Sequence, residues 1–492
     1  MHATRQYAST TITCRYTVPQ AIRDQCASAA SSNQPLRDAF FLALARTVLE
    51  HPALQVGQIN EDSRSPAWVE LDTVDLHQHV EWTLVKPDDD DFEALLRQTI
   101  GHNLDTFFDH LETKPGWRLA VLQREDDTRA IEVVLAWNHS NFDGTGAKIF
   151  HKTLLRNLNR NGDDDDTINW AKPGILKLDG VAARFPARVT KLGKFTTSKK
   201  WALEFGWKNL KPSAFRGHSQ YDTDWAPVRV SPLSTVSRTF FVESAELPGL
   251  LRACRARKTT ITGLLMALGV ASLAVQSRTD GVINGAQLEG VAAHTAMDLR
   301  RHLPKKSERY PWLVPDELLS NIVSVTIHEF DASLVQSIRD AALNAKSEDE
   351  LLASIDKPLW DIAARTRQDL EGRLNEGLHN EILPMMNIVP DWRTEHKHHV
   401  TKPRPGGVLV TNLGVLDGGD KTDNASWGIE SARFQLSAAV TTPPFQISAI
   451  SVKGGDMCVD INWQPGVLPE AITEQFYVHL QSWIHALAKV EA

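Results

Sequence analysis

One stretch of the chain, residues 117–158, restricts the fold more than any other. Trp117 to Gln123 and Ala130 to Trp137 are β-rich apolar runs separated by the polar turn Arg124 to Arg129. After the second run come Asn138-His139-Ser140-Asn141-Phe142-Asp143, then Gly144-Thr145-Gly146. Beyond these, Ile149, Phe150, Leu154, Leu155 and Leu158 recur at intervals of three and four. An extended run that gives way at once to helical spacing reads as two adjacent strands, a short loop and a helix. Such a unit commits the chain to an architecture of mixed sheet and helix, and it presents His139 where the second strand ends.

The rest of the chain repeats this mixture. Leu36, Phe40, Leu44, Ala45, Val48 and Leu49 predict a helix over 35–50 that stops at His51-Pro52, and 90–104 predicts another with an acidic first turn. Short apolar runs at 54–59, 68–71 and 80–85 lie between them. In the second half a strand is expected at 236–242, followed by a helix capped by Ser244 and a second helix over 260–275. Strands follow at 291–299 and 320–328, helices at 333–345 and 348–374, then strands at 407–413, 432–440, 446–452 and 458–463 and a final helix at 469–488. The chain has 492 residues, more than one core usually supports. The expected organisation is an N-terminal domain 1–170, a crossover 171–235 and a C-terminal domain 236–492.

Composition removes several classes of function. The net charge is −8, which gives a nucleic-acid partner little support. The longest apolar segment, 261–275, is interrupted by Thr262, Gly263, Gly269 and Ser272 and is short for a bilayer span, so it reads as a buried core helix and no integral membrane segment is expected. Met1 to Tyr7 lacks the pattern of a signal peptide. Cys14, Cys26, Cys254 and Cys458 show no CxxC spacing, and a reducing, cytoplasmic setting without a zinc site is expected. The acidic runs Asp88 to Asp91 and Asp163 to Asp166 read as solvated helix starts or loops rather than magnesium sites.

His139 is the chemical candidate. An imidazole of ordinary pKa near ~6.5 can take a proton from a hydroxyl or amine around neutrality, which acyl transfer requires. Asp143 can bond nearby backbone or meet an arginine, and Gly144 allows positive φ or close backbone approach. The bland alternative is a structural histidine, because HxxxD alone arises often by chance.

The segment Asn138 to Gly146, with Phe150-His151-Lys152-Thr153-Leu154-Leu155 behind it, resembles the HxxxDG region of alcohol O-acetyltransferases, relatives of the BAHD acyltransferases and of nonribosomal peptide condensation domains. Further landmarks fall in the family's order: Pro115 to Leu119, Thr260 to Leu265, Met297-Asp298-Leu299-Arg300, Ser320-Asn321 and Thr411 to Gly414. Asn138 stands where condensation domains commonly carry a first histidine, and DFGWG is absent, so the alcohol acetyltransferase branch fits best. The resemblance implies an α+β chain of two chloramphenicol-acetyltransferase-like domains enclosing a tunnel. It implies His139 as general base and Asp143 as a structural residue paired with Arg300.

The reaction so implied moves an acyl group, acetyl by preference, from a coenzyme A thioester to a hydroxyl or amine of a small molecule of specialised metabolism. Acetyl-CoA or another acyl-CoA is then a co-substrate, with no permanently bound cofactor, and an acyl carrier protein is a further candidate partner. Asn412 is a candidate for the oxyanion or tunnel, with a turn cap as its competing reading. Glu395 to Arg404 reads as a solvated basic loop rather than a metal cluster, with Lys397, Lys402 and Arg404 as cations for coenzyme A phosphates. Two other functions share the same features: a tunnel-shaped cyclase, pericyclase or isomerase, and a non-catalytic module that binds a metabolite or acyl carrier.

Overall fold

The computed structural model describes residues 1–28, 33–86, 91–160, 168–210, 217–419 and 424–490. Asp88 to Asp90 and Asp163 to Asp166 lie outside these residues. Asp91 is described, and its carboxylate accepts from Glu93 N to cap the helix Phe92–Asp105.

The first lobe is built on strands β1 (Thr10–Thr17), β2 (Val80–Val85), β3 (Trp117–Arg124) and β4 (Ala130–Trp137). Helices α1 (Gln34–Glu50), α2 (Phe92–Asp105) and α3 (Gly144–Leu158) cover them. The second contains β5 (Val236–Val242), α4 (Ile261–Gln276), β6 (Val291–Asp298), β7 (Val323–Phe330) and α5 (Asp356–Glu376). After β8 (Val408–Leu416) comes β9 (Gly428–Leu436), which leaves for the other sheet, and the second lobe closes with β10 (Phe445–Val452), β11 (Met457–Trp463) and α6 (Glu470–Val490). The six-stranded sheet runs β5-β11-β10-β8-β6-β7, with β8 parallel to both β6 and β10.

The five-stranded sheet runs β9-β1-β4-β3-β2, so its edge strand comes from late in the chain. β1 pairs antiparallel with β4 on one side and β9 on the other, setting Thr10 against both Trp137 and Leu436. A linear division at 236 groups β9 with the second lobe, whereas its backbone ladder belongs to the first. From there β9 also reaches the second sheet: Gln435 Nε2 donates to Asp460 Oδ2 at 2.9 Å, and Ser448 Oγ donates to the Phe434 carbonyl.

Burial follows side-chain period. Along β1 the residues Ile12, Cys14 and Tyr16 alternate inward against Phe40, Leu44, Phe150 and Leu154 of α1 and α3. Gly263 to Val275 of α4 are all buried against the second sheet and helices, as the expected core helix requires. Among the described residues no single helix is long and apolar enough to cross a membrane; α4 passes that test only jointly with Leu247–Ala256, from which it is bent by 84°.

Several boundaries differ from expectation. β1 has no counterpart in the sequence reading. The helix expected over 348–374 breaks at Ile355 into Glu348–Ser354 and α5, with Pro358 in the first turn of α5, where a missing N–H costs nothing. Ser244 does not cap the helix that begins at Leu247; the residue before that helix is Glu246, and Ser244 N donates to Asp456 Oδ1 instead. The crossover is structured. Trp170–Lys172 and Ile175–Lys177 form a three-stranded sheet with Thr73–Asp75, and the helix Lys199–Leu210 follows.

Candidate active site

β4 delivers the residues that follow it into a tightly tied loop. The Trp137 indole donates to the Phe142 carbonyl at 2.7 Å and the two rings stack at 5.3 Å, which closes residues 138–142 over the strand end. Asn138 N donates to the Gly116 carbonyl at 2.8 Å. The Asn138 carboxamide oxygen accepts from Ser140 N at 3.1 Å and Ser140 Oγ at 2.9 Å, an Asx turn. A Cβ on Gly116 would stand 2.6 Å from Asn141 Oδ1 and 3.0 Å from Asn138 Cβ, so only glycine lets this loop lie against the neighbouring strand.

His139 leaves the loop half-buried, with its ring 5.9 Å from Tyr7 in an edge-on arrangement. Burial lowers its pKa below the ordinary value of 6.5, opposed by the charge of Asp143 and by the hydrogen bond to its own backbone carbonyl. The imidazole is therefore held in its neutral form near pH 7. Asn321 Nδ2 donates to that carbonyl at 2.8 Å and stands 3.1 Å from Nδ1. Asn321 belongs to the second lobe, so the histidine is held from both sides. Tyr7 is itself kept protonated by burial, with the Thr10 hydroxyl opposing this.

Asp143 turns away from the imidazole. Its Oδ1 accepts from Gly146 N at 2.8 Å, capping α3, and its Oδ2 accepts from Arg300 NH1 at 2.9 Å and from Ile322 N at 2.7 Å. Both charged side chains are almost fully buried. Arg300 also donates to Asp298 Oδ1 at 3.0 Å and to the Leu318 and Ser320 carbonyls. Burial opposes its charge, yet Asp143 and Asp298 outweigh that and raise its pKa. A single ion pair thus fixes the start of α3, the 318–322 loop and the end of β6.

Gly144 has no positive φ. Its lack of a side chain serves the other expected purpose: a Cβ would meet Leu413 at 2.8 Å and Phe434 at 3.2 Å, so α3 starts in close contact with β8 and β9. One turn further, Lys148 Nζ donates to the Leu413 and Val415 carbonyls, and burial lowers its pKa despite Asp298.

The remaining candidates lie elsewhere. Asn412 Oδ1 accepts from Gly414 N at 2.8 Å, and its Nδ2 donates to Thr262 Oγ1 at 3.2 Å; its oxygen and one amide hydrogen brace the bulge of β8, the turn-capping arrangement. The first half of the segment expected as a basic loop, Glu395 to His399, is the end of a helix, Trp392–His399, capped by Asp391, with a His399–Glu395 pair at 2.8 Å. Among the described residues no group of three or more His, Cys, Asp or Glu could hold a metal. Lys397 is exposed, and Lys402 pairs with Glu395 at 3.3 Å. Arg404 corrects the expectation of a phosphate contact: it is 3% exposed and donates to the Pro227, Ala439 and Thr442 carbonyls and to Gln464. A guanidinium enclosed by four acceptors has no face left for a phosphate.

Sequence reasoning did not assign roles to Asn321, Tyr7 or Lys148. For Asn321 the signal was its place as a landmark after Ser320; for Tyr7 and Lys148 no local pattern marks them, because the groups that bring them to the site, His139 for Tyr7 and the Leu413 and Val415 carbonyls for Lys148, are remote in sequence.

A family model described as alcohol acetyltransferase matches residues 88–476. A protein named probable alcohol acetyltransferase FCK4, from Fusarium pseudograminearum, is 27% identical over 460 residues, covering 90% of this chain and 85% of that one. Probable alcohol acetyltransferase crmB of Aspergillus fumigatus is 22% identical over 454 residues, with coverages of 88% and 87%. Among solved structures, the TRI3 trichothecene 15-O-acetyltransferase of Fusarium sporotrichioides superposes with a TM-score of 0.63 at 15% identity, covering 98% of this chain and 91% of that one. The first condensation domain of the calcium-dependent antibiotic synthetase gives 0.56 at 13% identity, with coverages of 99% and 92%. At these identities the structural likenesses concern the two-lobed fold alone.

Proposed function

This chain belongs to the alcohol acetyltransferase family and is an acyltransferase, and on that premise we propose that His139 is the general base, that an acyl-CoA, acetyl-CoA by preference, is the donor, and that a hydroxyl of a small molecule is the acceptor. The observation that carries the reading is the clamp on His139. Its carbonyl is held by Asn321 from the opposite lobe, while the only carboxylate of the motif is committed to Arg300 and backbone. A base that works without a carboxylate partner needs its tautomer set another way. A carbonyl oxygen has two lone pairs. In this reading Nδ1 keeps its proton, bonded to the His139 carbonyl, and the free lone pair of the ring lies on Nε2; Asn321 Nδ2, which can only donate, then gives its hydrogen to the carbonyl at 2.8 Å and not to Nδ1.

In this mechanism Nε2 takes the acceptor's hydroxyl proton as its oxygen attacks the thioester carbonyl. The tetrahedral intermediate collapses with cleavage of the carbon–sulfur bond, and the imidazolium returns the proton to the departing thiolate. No acyl-enzyme forms. The donor and acceptor meet His139 between the lobes, in the role the expected tunnel would fill. Arg404 takes no part in donor binding in this reading, and Lys397 and Lys402 remain the cations available for the phosphates.

The test is thiol release from acetyl-CoA with a panel of alcohols, wild type against His139→Ala. Loss of turnover with unchanged circular dichroism is expected. Near-normal turnover by the variant removes the base assignment, and product formation without thioester consumption removes the transfer reaction.

A further inference from the structure

Leu203 and Trp207 are the two most exposed large apolar side chains among the described residues, at 75% and 68%. They lie one turn apart on the helix Lys199–Leu210, so they form one face and not two scattered exposures. The opposite side of the same helix is occupied: Trp201 and Phe205 are half-buried and stack at 5.1 Å. The amphipathic arrangement is therefore inverted on the outside, where apolar tips and lysines share the solvent face.

Charge is concentrated there as well. From 181 to 207 the chain has Arg184, Arg188, Lys191, Lys194, Lys199 and Lys200 against Glu204 alone, a net of +5 in a molecule whose total is −8. Arg188, Lys191, Lys194, Lys199 and Lys200 are exposed. The helix is also held firmly at its start. Ser198 N donates to Asn380 Oδ1 at 2.9 Å, Asn380 N to the Thr196 carbonyl at 2.8 Å, and Thr196 Oγ1 lies 2.8 Å from His379 Nδ1. Leu192 and Phe195 just before it pack with Leu299 and Leu303. A fixed helix that displays Leu and Trp among lysines has the chemistry of an interfacial anchor: indole and leucine enter the headgroup boundary while ammonium groups meet lipid phosphates.

We propose that the helix Lys199–Leu210 docks this enzyme on anionic lipid surfaces. A second copy of the chain fits this face poorly, because a two-fold contact would set the basic segment against itself. The −8 total also requires that binding be oriented, with this face toward the membrane and the acidic remainder away.

The experiment is flotation of the full chain with vesicles of phosphatidylcholine carrying about 30% phosphatidylserine, compared with phosphatidylcholine alone. Expected is binding to the anionic vesicles that weakens with salt, and a loss of at least about tenfold in Leu203→Glu/Trp207→Glu and in Lys199→Glu/Lys200→Glu. Acyl transfer to a water-soluble alcohol should be unchanged in both variants, since none of these residues belongs to the proposed machinery around His139. The proposal is overturned if wild type and variants float alike, or if wild type ignores the anionic vesicles. It is equally overturned if the apolar substitution instead abolishes a dimer seen by light scattering, or binding of single-stranded RNA.

Discussion

Asp143 is the position of the site at which a single substitution should cost most. In Asp143→Ala three contacts vanish together: the cap on Gly146 N, the bond from Ile322 N and the ion pair with Arg300. Loss of a helix cap costs about 0.5–2 kcal/mol. Each buried N–H left without a partner costs about 1–3 kcal/mol, and breaking a buried ion pair from one side about 3–5 kcal/mol. These terms overlap, because Arg300 keeps Asp298 and three carbonyl contacts, so about 5 kcal/mol is expected for the whole. Arg300→Met should cost less, about 3 kcal/mol, because the Asp143 carboxylate would still accept two backbone N–H bonds. The double variant should then recover about 2 kcal/mol relative to the sum. Urea unfolding of the four proteins, followed by tryptophan emission and hydrogen exchange at α3, measures the cycle. A single-variant cost under about 1 kcal/mol, or a coupling energy near zero, would refute the claim that this pair fastens the loop of the site to the second lobe.

Gly116→Ala should reduce kcat by at least about tenfold with little change in the unfolding midpoint, because the added methyl presses on Asn138 and Asn141 and displaces His139; normal kcat would show that the loop yields freely. The acid limb of the kcat/KM profile should fall below pH 6.5, since burial lowers the His139 pKa. Asn321→Ala should lower kcat and move that limb upward, because the His139 carbonyl then accepts from Nδ1–H alone and the ring gains water; an unmoved limb would exclude this positioning role. Stability should fall from about pH 6.5 toward pH 4, because burial lowers His51, His79 and His294 to about 4 and His151 to about 3. Each folded-state pKa lies below the unfolded one, so the contribution is complete above the unfolded value and is lost as pH falls through the folded one. Urea midpoints that do not decline over this interval would contradict those burials.

The part of the site that could be read in the sequence is the part encoded locally. The change of period at Asn138–Gly144 marks strand, loop and helix, and resemblance paired Asp143 with Arg300, which stand 2.9 Å apart. What escaped reading depends on remote contacts. β1 reads Thr-Thr-Ile-Thr-Cys-Arg-Tyr-Thr, a polar-looking string whose Thr10, Thr11 and Thr13 are buried in a strand that β4 and β9 flank on both sides. Arg404 sits among histidines, lysines and prolines and looks solvated, yet the carbonyls that enclose it come from 227, 439 and 442. The helix at Trp392 had a local signal, the capping Asp391, hidden by the charge of the run that follows.

The strand β9 has a consequence for the life of the chain on the ribosome. While residues before 428 emerge, β1 has β4 on one side and a bare edge on the other. That edge is a template for pairing with other chains until Gly428–Leu436 is made and returns to it. Arg300 and Asn321 will long have been synthesised by then, but α3 rests on Leu413 and Phe434, so the surroundings of His139 are complete only when the late strand is in place. Activity is thereby tied to translation of nearly the whole message: a truncated product ending before β9 would carry every residue of the HxxxDG motif and still lack the seat on which the motif lies.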